Sequence, residues 1–157
     1  MVDSMPQLRA HLADAIDRLT PETAFTILLF RQGETIELPP AGFRLASASA
    51  RTAALRWLND DVSSGAGAVR LGGRSDPIEA LQTAIDYGVS DLVVLSDNAL
   101  GKRAKGNGGD LGLLDLADTL GTQKEITLHA VQFNYADDRQ LLRQLANRFN
   151  GTYEFVE

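Results

Sequence analysis

The chain is expected to fold as a three-layer α/β domain, with a mostly parallel central sheet, one antiparallel edge strand and helices on both faces. Three observations predict this. The runs "AFTILLF", "DLVVLSD" and "ITLHAVQF" are short, continuous and apolar, as strands buried on both faces are. Segments with helical spacing of apolar residues separate them. Strands that alternate with helices connect by right-handed crossovers, which makes neighbouring strands parallel. One domain over residues 1–157 is the expected count, and that length can bury a real core.

Leu8, Leu12, Ala15, Ile16 and Leu19 recur at helical spacing. Pro6 suits a helix start, and Ser4 or Asp3 can cap it. Thr20-Pro21-Glu22 ends this helix, and Ala24 to Phe30 reads as a buried parallel strand. Gln32-Gly33-Glu34 turns the chain into Thr35–Leu38, a short alternating run stopped by Pro39-Pro40 and hence an edge strand. Ser47–Asn59 reads as a second helix with Ala50, Ala53, Ala54, Trp57 and Leu58 inward. Val62–Gly73 is a loop of small residues.

Pro77 at a first helical position opens a third helix through Tyr87, with Ile78, Leu81, Ala84 and Ile85 inward and Gly88 ending it. Asp91–Asp97 is a buried strand that finishes in polar residues. Ala99–Gly112 is a glycine-rich basic loop, and Leu113–Leu120 a helix closed by Gly121. Ile126–Phe133 is the third buried strand. Asp137 or Asp138 caps a helix through Phe149, with Leu141, Leu142, Leu145 and Ala146 inward. Asn150-Gly151 ends that helix, and Thr152–Val156 is the last strand. In such sheets ligands bind at the carboxyl ends of the strands. Attention therefore falls on the loops after Phe30, Leu95 and Phe133 and on the turn before Pro77.

The net charge of −6 argues against a nucleic-acid partner, because phosphate binding needs a basic face. The absence of cysteine rules out disulfide and thiolate chemistry. No stretch approaches the length of a membrane helix, and the composition assigns no compartment, so the localisation is left unknown.

"GGRSDP" at residues 72–77 and "LSDN" at 95–98, taken in order with the "NGTYEF" ending, resemble a von Willebrand factor A (VWA) domain over nearly the whole chain. The same residues resemble a bacterial, planctomycete-type subgroup of that family. What the resemblance implies is a Rossmann-like sheet and a metal-ion-dependent adhesion site. In that site a D-x-S-x-S loop, a second-loop threonine and a third-loop aspartate hold a divalent cation. Carried onto this chain, Ser75 matches the threonine position and Asp97 the third-loop aspartate, with Asp76 and Asn98 as partner-binding neighbours. Hard oxygen donors of this kind suit Mg²⁺.

The D-x-S-x-S loop has no secure match, because the chain opens on a helix with no apolar strand before Leu8. Ser4-Met5 can be aligned with the end of the motif, with Asp3 in place of a glycine. The preferred alignment makes Met1 the residue after the second serine, so that the first strand and its motif lie upstream. Without a central strand the chain is expected to be marginal or aggregation-prone alone, because unpaired buried backbone groups cost about 1–3 kcal/mol each. A second copy of the chain or another strand would fill the slot, or the strands on either side would pair directly. Membrane association is expected only through a segment upstream of Met1.

Ser75 suits a helix cap and Asp97 a loop cap. The loop "GKRAKGNGGDLG" departs from the phosphate-binding pattern because Asn107 follows Gly106. His11 and His129 lack a cluster of ligands at metal-binding spacing. Ser96, Asp97 and His129 lack the G-x-S-x-G elbow of a hydrolase. The function expected is protein–protein interaction or scaffolding through the strand-end face, with an incomplete metal site and no catalysis. The alternative is a small nucleotide- or phosphate-binding domain of flavodoxin or Rossmann type. The turn Arg31-Gln32-Gly33-Glu34 argues against it, because a glycine-rich phosphate loop should stand there. A gene product with no independent function is the third reading.

Overall fold

The computed structural model of the chain describes residues 5–31, 34–60, 77–96, 125–133 and 139–156. Among them are four helices and seven strands: α1 (Met5–Asp17), β1 (Ala24–Phe25), β2 (Leu28–Arg31), β3 (Glu34–Glu37), β4 (Arg44–Leu45), α2 (Ala48–Asp60), α3 (Ile78–Asp86), β5 (Asp91–Ser96), β6 (Thr127–Phe133), α4 (Arg139–Arg148) and β7 (Tyr153–Val156). The α/β class is as expected. The strands fall into three sheets, β5-β6-β7, β1-β4 and β2-β3. The chain divides into two compact units, Met1–Leu29 with Thr35–Gly72, and Phe30–Glu34 with Gly73–Glu157. The expected helix over 113–120 and the loops 62–73 and 99–112 lie outside the described residues.

In the first unit α1 and α2 pack together. Leu8 and Ile16 are buried on α1 and Ala54, Trp57 and Leu58 on α2, at the spacing that puts them on one face. Ala15 and Ala53, expected inward, are exposed. Each is next to a buried residue, Ile16 or Ala54, and a helix turns about 100° per residue, which carries it off the buried face. Ser47 caps α2: its Oγ accepts the Ala50 backbone N–H at 3.2 Å, one of the donors that a helix start leaves unpaired. Arg51 on α2 reaches the other end of α1, donating from Nη1 to the carbonyls of Asp17 (3.2 Å) and Leu19 (3.3 Å). Carbonyls with no helical partner are thereby satisfied by a cation, the favoured sign at a helix C-terminus.

The run Ala24–Phe30 is a correction to the sequence reading. It is not one parallel strand but two short ones separated at Thr26-Ile27. β1 pairs antiparallel with β4, Ala24 opposite Leu45 and Phe25 opposite Arg44. β2 pairs with β3. At the break the Ile27 carbonyl accepts the Leu38 N–H at 2.9 Å, and Thr26 Oγ1 donates to Glu37 Oε1 at 3.1 Å. β4 has no apolar pattern of its own. The turn before it makes it a strand: the Arg44 guanidinium donates to the carbonyls of Leu38 (2.7 Å) and Pro39 (2.8 Å) and also to that of Pro40. Glu37 Oε1 accepts the Gly42 N–H at 2.7 Å. The core of this unit joins Ile16, Phe25, Ile27, Leu38, Ala46, Ala54, Trp57 and Leu58.

The second unit holds the parallel sheet. β5 pairs with β6 from Asp91↔Thr127 to Ser96↔Gln132, and β6 with β7 from Ala130↔Tyr153 to Phe133↔Val156. Among the described residues β5 pairs with β6. α4 packs on β6 and β7. Leu141, Leu142, Leu145 and Ala146 are all buried there, as their spacing predicts. With Leu81, Ile85, Val94, Ile126, Leu128, Ala130 and Phe149 they form the core. Ile78, expected inward, is exposed at the first turn of α3, and Ala80 is buried instead. Pro77 precedes α3 as its N-cap rather than entering it.

Two helix ends deliver the chain to the strands. Gly88 follows α3 at φ +74°, a left-handed conformation that glycine adopts without steric cost. Its N–H donates to the Ile85 carbonyl at 2.8 Å, and the Val89 N–H to that of Ala84 at 3.5 Å, the Schellman pattern. After α4 the left-handed residue is Asn150, at φ +54°. The Gly151 N–H then donates to the Ala146 carbonyl at 2.9 Å. Gly151 is required by close approach: a Cβ there would overlap the Leu128 carbonyl of β6. Gly151→Ala is therefore expected to destabilise the chain by about 2 kcal/mol, the scale of an overpacked core site. Gly88→Ala should cost about 1 kcal/mol from its left-handed backbone alone. Denaturant midpoints of the two variants measure both.

Candidate functional site at the strand ends

Among the described residues few polar side chains are buried. Ser96 (4% exposed) and Gln132 (0%) are the buried polar residues among those described, and they stand opposite each other at the carboxyl ends of β5 and β6. Strand alternation explains how they come to face the same way. Leu92, Val94 and Ser96 share one face of β5, and their register partners Leu128, Ala130 and Gln132 share that face of β6. The apolar members of both rows belong to the core, so the polar pair is the point where that core gives way to the strand-end surface.

A buried amide costs free energy unless it is hydrogen-bonded. Gln132 Oε1 accepts from the Tyr153 hydroxyl at 3.0 Å. The Tyr153 ring in turn lies under the Arg143 guanidinium of α4, with 4.9 Å from its carbon to the ring centroid, a cation–π geometry. Arg143, Tyr153 and Gln132 thus make a connected line from α4 through β7 to β6. Ser96 continues it in register on β5.

The other face of the sheet differs. Val93 is 50% exposed there. His129 Nδ1 accepts the Thr152 backbone N–H at 3.2 Å and lies 2.8 Å from Thr152 Oγ1. With Nδ1 accepting, the hydrogen of the neutral ring is on Nε2. His129 and Gln132 are three residues apart on one strand and so point to opposite faces. Ser96, in register with Gln132, is therefore turned away from His129. The two do not form a nucleophile–base pair.

Ser75, Asp76, Asp97 and Asn98 lie outside the described residues. Their described neighbours are Pro77, the cap of α3, and Ser96, the last residue of β5. Among the described residues no three His, Cys, Asp or Glu side chains are grouped as a cation would need. No described helix is long and apolar enough to cross a membrane. Gln132 and Tyr153 were missed by the sequence reading. The signal for Gln132 was present, as the one amide in the apolar run Ile126–Phe133, but the tyrosine that donates to it lies 21 residues further on in a separate strand, a distance no local pattern bridges.

No protein-family model matches the chain, and no curated protein matches it significantly.

Tyr153→Phe keeps the ring under Arg143 and removes only the donor to Gln132. It is expected to cost about 1 kcal/mol, the net scale of one intramolecular hydrogen bond. Combined with Gln132→Leu, the Tyr153→Phe change should cost less than it does alone, because the bond it removes is already absent. A double-mutant cycle on urea unfolding measures the coupling.

Proposed function

We propose that this chain is a non-catalytic protein-binding or scaffolding module of VWA type, which engages its partner at the carboxyl ends of the parallel strands. The three-layer arrangement, with helices on both faces of the sheet, belongs to the same proposal. The observation that carries it is the polar finish of β5 and β6, where buried Ser96 and Gln132 stand side by side beneath the strand ends. Parallel α/β sheets present ligands there, because the crossovers leave the carboxyl-end loops free to converge.

Asp97-Asn98 follows Ser96 directly in the chain, and Ser75-Asp76 directly precedes Pro77. Ser75 offers a hydroxyl and Asp97 a carboxylate, hard donors that suit Mg²⁺ in kind. Two are fewer than an octahedral ion takes, so the site is incomplete, and waters or a partner's carboxylate would supply the remaining oxygens. The acidic balance of the chain supports a protein partner over a nucleic acid. The opposed faces of Ser96 and His129 support binding rather than hydrolysis.

Thermal melts of the chain with and without Mg²⁺ test the metal reading. Saturating Mg²⁺, about 100-fold above its dissociation constant, is expected to add about 2.7 kcal/mol of stability, and Asp97→Ala should abolish the gain. A melt that ignores Mg²⁺ removes the ion from the proposal. A saturable rise with a nucleotide, and none with Mg²⁺, would replace the proposal with the phosphate-binding alternative.

A further inference from the structure

Asn150-Gly151 carries chemistry that neither the fold nor the proposed binding role uses. In an Asn-Gly pair no side chain shields the following backbone nitrogen, which can then reach the asparagine's own amide carbon. We propose that Asn150 is a conditional deamidation site, silent while α4 is docked on β6 and reactive once the helix end opens. The reaction needs only water and base. The deprotonated Gly151 nitrogen bonds to Asn150 Cγ, the Cγ–Nδ2 bond breaks, and the nitrogen takes up a proton and leaves as ammonia. Water then opens the resulting succinimide at either carbonyl, giving aspartate or isoaspartate. In isoaspartate the main chain runs through the side-chain carbon and gains one methylene.

The folded unit opposes the first step in three ways. The Gly151 N–H is engaged by the Ala146 carbonyl at 2.9 Å, so the hydrogen that must be lost is held. Gly151 itself is pressed on the Leu128 carbonyl, where not even a Cβ would fit, so this peptide has no room to swing toward Cγ. The next residue is clamped as well: the Thr152 N–H donates to His129 Nδ1 at 3.2 Å, and its carbonyl accepts the Ala130 N–H at 2.8 Å. Asn150 is nevertheless exposed, so water and hydroxide reach it freely. Backbone restraint, not burial, protects it.

The succinimide and its isoaspartate product cannot return to this geometry. A succinimide has no Gly151 N–H to give to Ala146. An added methylene lengthens the path from α4 to β7 and shifts Tyr153 from its place beside Gln132. The junction at residues 149–152 thus works as a chemical recorder of openings at the end of α4, with a rate set by the open population.

The test is to hold the whole chain at mildly alkaline pH, folded and in guanidinium chloride, and to measure aspartate and isoaspartate at residue 150 by peptide mapping. Asn107-Gly108, the other Asn-Gly pair of the chain, is the internal reference in denaturant. There the two positions should convert at similar rates. In the folded chain Asn150 should convert at least about tenfold more slowly than in denaturant, as expected if only a minor open state reacts. His129→Ala releases the Thr152 clamp and should raise the folded rate. Asn150→Gly, which keeps a residue suited to positive φ, should give no product at that position. Equal rates at Asn150 in the folded and denatured chain, or no conversion in denaturant, would overturn the proposal.

Discussion

The parallel sheet depends on the demand that β6 be hydrogen-bonded along both edges. One face of this strand is buried, with Leu128, Ala130 and Gln132 at 2% exposure or less, as is Phe133 at its end, so its backbone is best satisfied by neighbouring strands. β5 takes one edge and β7 the other, both in parallel. Parallel partners cannot be joined by tight turns, so the chain must cross over between them, and α4 is the described crossover from β6 to β7. The close seat of Gly151 on the Leu128 carbonyl follows from this, as does the short path from Asn150 into β7.

The same accounting explains how the first unit uses its charges. Arg51 closes the end of α1, Arg44 gathers three carbonyls of the turn before β4, and Glu37 holds Thr26 and the Gly42 N–H. These side chains satisfy backbone groups that short strands and a helix end leave over. The Asp14–Arg18 pair is different. At 2.7 Å it has good geometry, but both side chains are more than half exposed, and solvent screening leaves such i,i+4 pairs only a few tenths of a kcal/mol. Charge in this protein matters where it meets a backbone carbonyl or amide.

At the strand ends packing and polarity meet. The row that runs Leu92, Val94, Ser96 on β5 and Leu128, Ala130, Gln132 on β6 is apolar until its last member. Ending a buried row in a hydroxyl and an amide is costly unless partners are supplied, and Tyr153 from β7 supplies one. The line from Arg143 to Gln132 ties α4 to the sheet at its carboxyl end. A binding surface built on that end would rest on a stiff, hydrogen-bonded floor rather than on loose apolar side chains.

The amino-acid sequence by itself determined the α/β class, the helices and the strands of the parallel sheet. Their 3.6-residue stripes and continuous apolar runs are local patterns, and Leu141, Leu142, Leu145 and Ala146 are legible from spacing alone. Helix ends were legible too, because Gly88 and Asn150-Gly151 carry their backbone conformations in their own chemistry. Only the tertiary structure decided that Ala24–Phe30 is divided between two antiparallel partners, because an apolar run has no mark that says which neighbour will bond it. It likewise decided that β4 exists, since Arg44 becomes a strand residue through the carbonyls it gathers. The Tyr153–Gln132 bond, and the need for glycine at 151, arise between segments far apart in the chain, where side-chain reach and backbone approach are set by the fold and not by any neighbour in sequence.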